Sequence, residues 1–464
     1  MRCLIMDQIS KMFSWRTGSG RNRAMIQELP DELLLEIAFL LQDKIGNHTD
    51  DLLALCKVSK ALARTAQEVL FQNCCIGGTL APKRLGLFLR TILNRTDLAR
   101  KVRKLEITVT QRYAWTRTHP SWTNMDGTTT DTVAFLSNCV RDLKLPIYSY
   151  MEQTWLGELR IRAHDSHIAV VALVLARVRK LRSLHLILAE HLEMPPLLVQ
   201  LCSMHPSLIL GALEDIHITR GRDIFSLSQR GVPPLLRRRG VSPLLRLPSL
   251  RSVQVEDTSD LTVHTWDINH RNVEISTITS LTLRGKVYQS FNGQILRCFT
   301  ALRSFTCHFH SDFSLENVLF ALGNQQNTLE TLRISTTSYL RNRSPIGSFA
   351  IFTRLKTLQI PQGLLLGDHE STPPLLVNVL PRSLERLELD TTWIRQGGAD
   401  FDTRLVEAIP GLAPQLDQIH FHRFSKANFS VLVQCDCVPL KMLTRTSFWD
   451  SILRKVRNST VLYW

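Results

Sequence analysis

The sequence predicts an α/β protein in which a small N-terminal all-α module precedes an irregular solenoid, a curved parallel sheet with outer helices. Three observations carry the prediction. Residues 26–72 place apolar side chains at helical spacing, a six-residue apolar pattern then recurs along most of the chain, and stretches of helical character separate its copies. The chain is long enough for such an array: 464 residues, 44% hydrophobic and 21% charged, a globular profile and not a disordered one.

Residues 1–25 are rich in Gly, Ser, Arg and Asn with little periodicity, which predicts a flexible leader. Leu29-Pro30-Asp31-Glu32 then opens a helix whose Leu33, Leu34, Ile37, Leu40 and Leu41 share one face. Pro30 stands where a helix start tolerates a missing N–H, and Asp31 and Glu32 stand where negative charge is favoured. After a polar turn at 46–51, a second helical run is expected over Leu52, Leu55, Leu62, Ala66 and Leu70, with Val58-Ser59-Lys60-Ala61-Leu62 at its centre. Residues 73–100 are expected to form a helical linker and N-terminal cap.

From residue 101 the string L-x-x-L-x-L, with Val, Ile, Phe or Cys allowed for Leu, occurs eleven times. The copies begin at Val102, Leu156, Leu181, Leu213, Leu250, Ile278, Leu302, Leu329, Leu355, Leu384 and Leu416. Period-2 alternation in each marks a short strand with one buried face. From Leu159 onward the middle apolar positions are 24 to 37 residues apart, close to the roughly 20 to 29 of leucine-rich repeats. A wider gap between Leu105 and Leu159 holds an excursion at 111–150. Helical character is read at 166–178, 195–204, 290–299, 314–322, 373–380 and 402–409, and Pro248, Pro381 and Pro414 punctuate the return to the next strand. Stacked repeats bury a face that one repeat cannot bury alone, so the array is expected over 101–440, with a C-terminal cap and tail at 441–464. The repeats lack the invariant Asn that many leucine-rich repeats use to satisfy turn backbone groups, so irregular curvature is expected.

L-P-x-E-L-L-x-x-I at 29–37, followed about twenty residues later by L-x-x-L-x-x-V-S-K-x-L at 52–62, resembles an F-box. The stretch 85–102 is similar to the link between F-box and repeats in filamentous-fungal F-box proteins. The F-box part covers 26–72 and the repeats cover most of the remainder. The resemblance implies a non-catalytic receptor subunit of a Skp–cullin–F-box (SCF) ubiquitin ligase, docked on a Skp adaptor and through it on a cullin. Its repeats would hold a target protein for ubiquitin-dependent degradation. Leu29, Pro30, Leu33, Leu34, Ile37, Leu52, Leu55, Val58 and Leu62 match the apolar positions of the motif, each an adaptor contact or a core residue of the module. The stretch 41–51 is more polar and slightly longer than the common pattern.

The third and fifth positions of each repeat strand point away from the core and would pave the concave face. Arg160, His185, His217, Gln254, Arg333, Gln359, Arg386 and His420 are the candidate substrate-binding residues there, around a short, uncharged centre at 252–306. Arg160, Arg333 and Arg386 would supply bidentate donors for an acidic or phosphorylated target. The charge agrees: +15 at neutral pH, with 42 Arg against 14 Lys. It also leaves open a repeat scaffold that binds RNA or anionic lipid through its basic surface, although a basic and aromatic mixture around Trp115 and Trp122 reads better as a packed excursion than as a nucleic-acid platform.

No G-x-S-x-G, H-E-x-x-H, P-loop or G-x-G-x-x-G string occurs, so no catalytic residue is nominated and no enzyme activity or cofactor is expected. Cys307, His308, His310, His420 and His422 fall on repeat strands, where alternation already explains them, and Cys435-x-Cys437 has no second pair at zinc-ribbon distance. No metal site is expected. The longest apolar run, 168–176, is nine residues, about half of what a membrane span needs. Asp7 and the lack of a sustained apolar stretch beside it argue against a secretory signal. Cytoplasmic or nuclear residence with reduced thiols is the expectation for the ten cysteines.

Overall fold

The structure, a computed structural model, describes residues 29–42, 49–77, 81–109, 121–123, 129–142, 166–189, 210–221, 244–261, 275, 277–287, 294–309, 315–336, 346–367, 374–390 and 418–422. It divides into two units, Met1–Gln72 and Asn73–Trp464. The leader, the repeat copy at 156–161 with Arg160, the helical stretches at 195–204 and 402–409, most of the excursion and the C-terminal tail lie outside the described residues.

In the first unit, α1 (Asp31–Gln42), α2 (Thr49–Cys56) and α3 (Lys60–Gln72) pack around Ala38, Leu52, Ala66 and Val69. Leu35, Leu41, Leu55, Cys56 and Leu70 flank that core. Asp31 and Glu32 occupy the first turn of α1, and Asp31 also pairs with Arg64 of α3. The run expected as one helix from Leu52 to Leu70 is two. The Lys57 and Val58 N–H groups close a turn on the Ala54 and Leu55 carbonyls, and Ser59 restarts the helix by accepting the Leu62 N–H on its hydroxyl at 3.3 Å.

The second unit is α/β. Eleven strands make one sheet, ordered β1 (Asn73–Ile76), β2 (Lys104–Val109), β5 (Ser183–Ala189), β6 (Asp215–Gly221), β7 (Ser252–Leu261), β8 (Ser280–Val287), β9 (Ser304–Phe309), β10 (Thr331–Thr336), β11 (Thr357–Pro361), β12 (Arg386–Asp390) and β13 (Gln418–His422). Every pairing in it is parallel. Strands adjacent in the sheet are adjacent in sequence except across the hairpin of β3 (Ser121–Thr123) and β4 (Thr129–Asp131), which pair antiparallel with each other.

One expectation changes here. Residues 73–76, expected as helical linker, form the first strand, with Cys74 in register with Leu105 and Ile76 with Ile107. β2 pairs directly with β5. The rest of the linker is helical as expected, as α4 (Ala81–Asn94) and α5 (Thr96–Ala99). The excursion contributes α6 (Thr132–Asp142), which meets α7 (Ser166–Arg177). α7 also packs on α4, and its residues Val170 to Ala176 are all buried, so this helix is enclosed on every side.

Register is constant from one strand to the next. Ser183, Asp215, Ser252, Ser280, Ser304, Thr331, Thr357 and Arg386 stand in one row, and Leu184, Ile216, Val253, Leu281, Phe305, Leu332, Leu358 and Leu387 in the next. In the nine copies whose burial is described, every consensus apolar side chain, from Val102-Leu105-Ile107 to Leu384-Leu387-Leu389, is at most 3% exposed. A one-residue slip would turn each of those side chains to the opposite face, which is why the register holds.

Backbone hydrogen bonds link successive strand starts. The carbonyl of Arg103 accepts the N–H groups of both Arg182 and Ser183, at 2.8 and 3.0 Å. The same double acceptance recurs at Arg182, Glu214, Arg251, Thr279, Arg303, Glu330 and Lys356, stitching each turn to the next. Between strands the outer layer varies. α8 (Leu315–Leu322) is a true helix, α9 (Gln362–Leu366) and α10 (Leu376–Val379) are single turns, and 294–298, expected as helix, is a 3-10 turn. The tighter winding suits it, because Leu296 and Phe299, three residues apart, are both fully buried while Arg297 is exposed.

Candidate functional site

Of the nine apolar residues matched to the F-box motif, Leu34, Leu52 and Leu62 are buried at 1% exposure and belong to the core. Leu29, Ile37 and Leu55 are half-buried. Pro30, Leu33 and Val58 face solvent, the last two at 44% and 61% exposure. Phe39 and Leu53, not singled out from the motif, are exposed beside them in sequence. Four-residue spacing within α1 brings Leu34 and Ala38 inward on one face, while Leu33 and Phe39 are exposed.

On the sheet, the outward face is described from β1 to β12. Ser252, Ser280, Ser304, Thr331 and Thr357 line the third-position row, and Gln254, Thr282 and Thr306 the fifth, all half-buried. Arg333 is exposed between Thr306 and Gln359, and no described carboxylate pairs with it. Arg386 reaches Glu388 at 2.7 Å. Glu388, expected on the open face, is only 5% exposed, and the Arg386 guanidinium compensates its burial. His420 is in register with Glu388. Arg160 is outside the described residues.

His185 and His217 are engaged within the protein. Their rings stack with centroids 4.1 Å apart. His185 Nδ1 lies 3.3 Å from Glu106 Oε2, and the Nε2 atoms of both rings reach Thr219 Oγ1, at 3.1 and 3.2 Å. His217 Nε2 is also 3.7 Å from Glu256 Oε2, while Gln254 and Arg284 both donate to Glu256 Oε1. Burial, then the adjacent His185, push His217 below the ordinary histidine value of 6.5 against the pull of Glu256.

Thr219, Glu256 and Arg284 escaped the six-residue reading, and His308, named there only as a metal ligand set aside, bonds Ser335 at 2.6 Å. Their signal was present: strands β6 to β10 continue the same alternation to a seventh position. With that row included, Lys104, Arg284, Arg333 and Arg386 balance Glu106, Asp215, Glu256 and Glu388, so among the described residues the excess of basic charge is not concentrated on this face.

Among the described residues no group of three or more His, Cys, Asp or Glu is placed to hold a metal ion, and no helix is long and apolar enough to cross a membrane. No disulfide joins the six described cysteines. Burial pushes the thiols of Cys74, Cys139 and Cys307 up to about 12, which makes them poor nucleophiles. Compared with known proteins, the chain matches no protein-family model, and no curated protein matches it.

Proposed function

We propose that this chain is a non-catalytic receptor subunit of a Skp–cullin–F-box ubiquitin ligase, with residues 26–72 as an F-box and the strands as leucine-rich repeats whose concave face holds a target protein. The observation that carries the reading is the exposure of Leu33 and Val58 on a three-helix unit in which the motif leucines Leu34, Leu52 and Leu62 are buried. An apolar side chain left in water at a motif position fits an adaptor contact better than a packing role. The constant register supports the second half, because it makes one continuous outward face from β1 to β13. Arg333 is the anchor on that face for an acidic or phosphorylated group, since Arg284 and Arg386 are already paired. The work of such a subunit is positional: it raises the effective concentration of a target lysine near the conjugating machinery.

The test is co-purification of the full-length chain with a Skp adaptor, beside a Leu33→Asp, Val58→Asp double variant. Both positions are exposed, so the variant should keep its circular dichroism and melting temperature and lose the adaptor. Failure of the folded wild type to bind any Skp adaptor overturns the ligase reading. Salt-sensitive binding of RNA or anionic vesicles that survives deletion of 1–72 would instead favour the basic scaffold.

A further inference from the structure

The outward face carries one cluster that the receptor reading does not use. His185 on β5 and His217 on β6 are in register, and their ring planes lie 2° from parallel at 4.1 Å. A carboxylate only accepts, so Nδ1 of His185, facing Glu106 Oε2, carries its hydrogen. In the neutral ring Nε2 is then an acceptor, and Thr219 donates its hydroxyl hydrogen there. The Thr219 oxygen in turn accepts from Nε2–H of His217. One arrangement of hydrogens on two neutral rings satisfies the whole chain from Glu106 to His217.

We propose that this stack is a proton-operated clasp, which ties β2, β5 and β6 together across the outward face and opens when acidification charges His217. Two imidazolium rings lying flat against each other repel, and the stack offers no room for a counter-ion between them. Glu256 offsets this at His217 only in part. From β7, Glu256 faces His217, but its Oε1 already receives Gln254 and the Arg284 guanidinium of β8. From β2, Glu106 faces His185 and also receives the Cys75 thiol of β1 at 3.5 Å. Among the side chains described, Lys104 and Asp215, two residues along β2 and β6 on the same face, are the other charged groups in register beside the pair. The direction of the His217 shift agrees: its folded form holds a proton less readily than the unfolded chain does. Stability from the clasp is therefore complete above about pH 6.5 and falls as pH drops below it.

The experiment uses the full-length chain and compares the drop in melting temperature from pH 7.5 to 5.5 in wild type, His217→Gln and Glu256→Gln, with a ring-carbon NMR titration of the histidines. A glutamine amide can still donate to Thr219 yet takes up no proton, so His217→Gln should show a smaller drop than wild type. Glu256→Gln removes the one carboxylate that favours charged His217, so its drop should be larger. The resonance lost in His217→Gln should titrate below 6.5 in wild type. If His217→Gln fails to fold, the Glu256→Gln comparison decides alone. Equal drops in wild type and the variants, or a His217 midpoint at or above 6.5, overturn the clasp.

Discussion

The hydroxyl of Ser59 accepts the backbone N–H of Leu62 at 3.3 Å, at the point where one apolar run becomes two helices. The bond satisfies one of the four orphan donors at the start of α3, and the Ser59 carbonyl takes the Ala63 N–H at 2.8 Å. Ser59→Ala should cost about 1 kcal/mol of local stability. In the full-length chain, amide hydrogen exchange at Leu62 and Ala63 should then quicken about fivefold, while Ser59→Asp leaves it near wild type.

That same bond marks a limit of the sequence. Helical periodicity runs unbroken through Leu52, Leu55, Leu62, Ala66 and Leu70, and periodicity alone carries no stop signal. Ser59 could have supplied one as a capping residue, but it lies inside the apolar pattern and not before it. The repeat strands were legible for the opposite reason: their apolar parity is tied to burial, and each described copy from Val102 to Leu384 begins a strand or leads into one. β1 was missed although Phe71, Cys74 and Ile76 fit the same spacing, because no leucine stands at any of the three positions. The outward polar network was missed because it depends on contacts between strands, such as Glu106 with His185, 79 residues apart.

Leu332 and Arg333 adjoin on β10 and face opposite ways, the first fully buried and the second exposed. Leu332→Ala should cost about 2–5 kcal/mol, because the lost transfer energy adds to that of a cavity between neighbouring repeats. Arg333→Gln should change stability by no more than about 0.5 kcal/mol. Urea unfolding of the two variants checks both. A substrate assay, once a target is known, should show the reverse ranking.

Gln325 is fully buried, and its amide donates to the carbonyls of Leu296 and Phe299 in the preceding turn, at 2.8 and 2.5 Å. It does through a side chain what the doubled backbone bonds do at the strand starts. Gln325→Leu would keep the volume and leave both carbonyls without this donor. A cost of about 1–3 kcal/mol is expected, read as a lower urea midpoint with an unchanged slope.

Leu34 and Val58 separate packing from contact within the N-terminal unit. Leu34→Ala empties a site at 1% exposure and should destabilise by about 2–5 kcal/mol. Val58→Ala, at 61% exposure, should leave the melt unchanged and weaken adaptor capture. Titrating both variants against a Skp adaptor by calorimetry distinguishes the roles. Loss of binding in Leu34→Ala alone, with Val58→Ala as tight as wild type, would move the contact off the exposed face.

Asp215 stands in a row otherwise occupied mostly by Ser and Thr, and burial, then the neighbouring Glu214, raise its carboxyl above the ordinary value of 3.8. Ser252 and Lys104 pull the other way without reversing the shift. The sign follows from linkage: the folded state holds this proton more tightly than the unfolded chain, so ionising Asp215 weakens the fold as pH rises through its folded value. Below 3.8 both states are protonated and the penalty vanishes. Asp215→Ser restores the residue found at this position in β5, β7, β8 and β9. It should therefore raise the melting temperature at pH 7 and lose most of that gain at pH 3. A gain of equal size at both pH values would assign the effect to packing and not to charge.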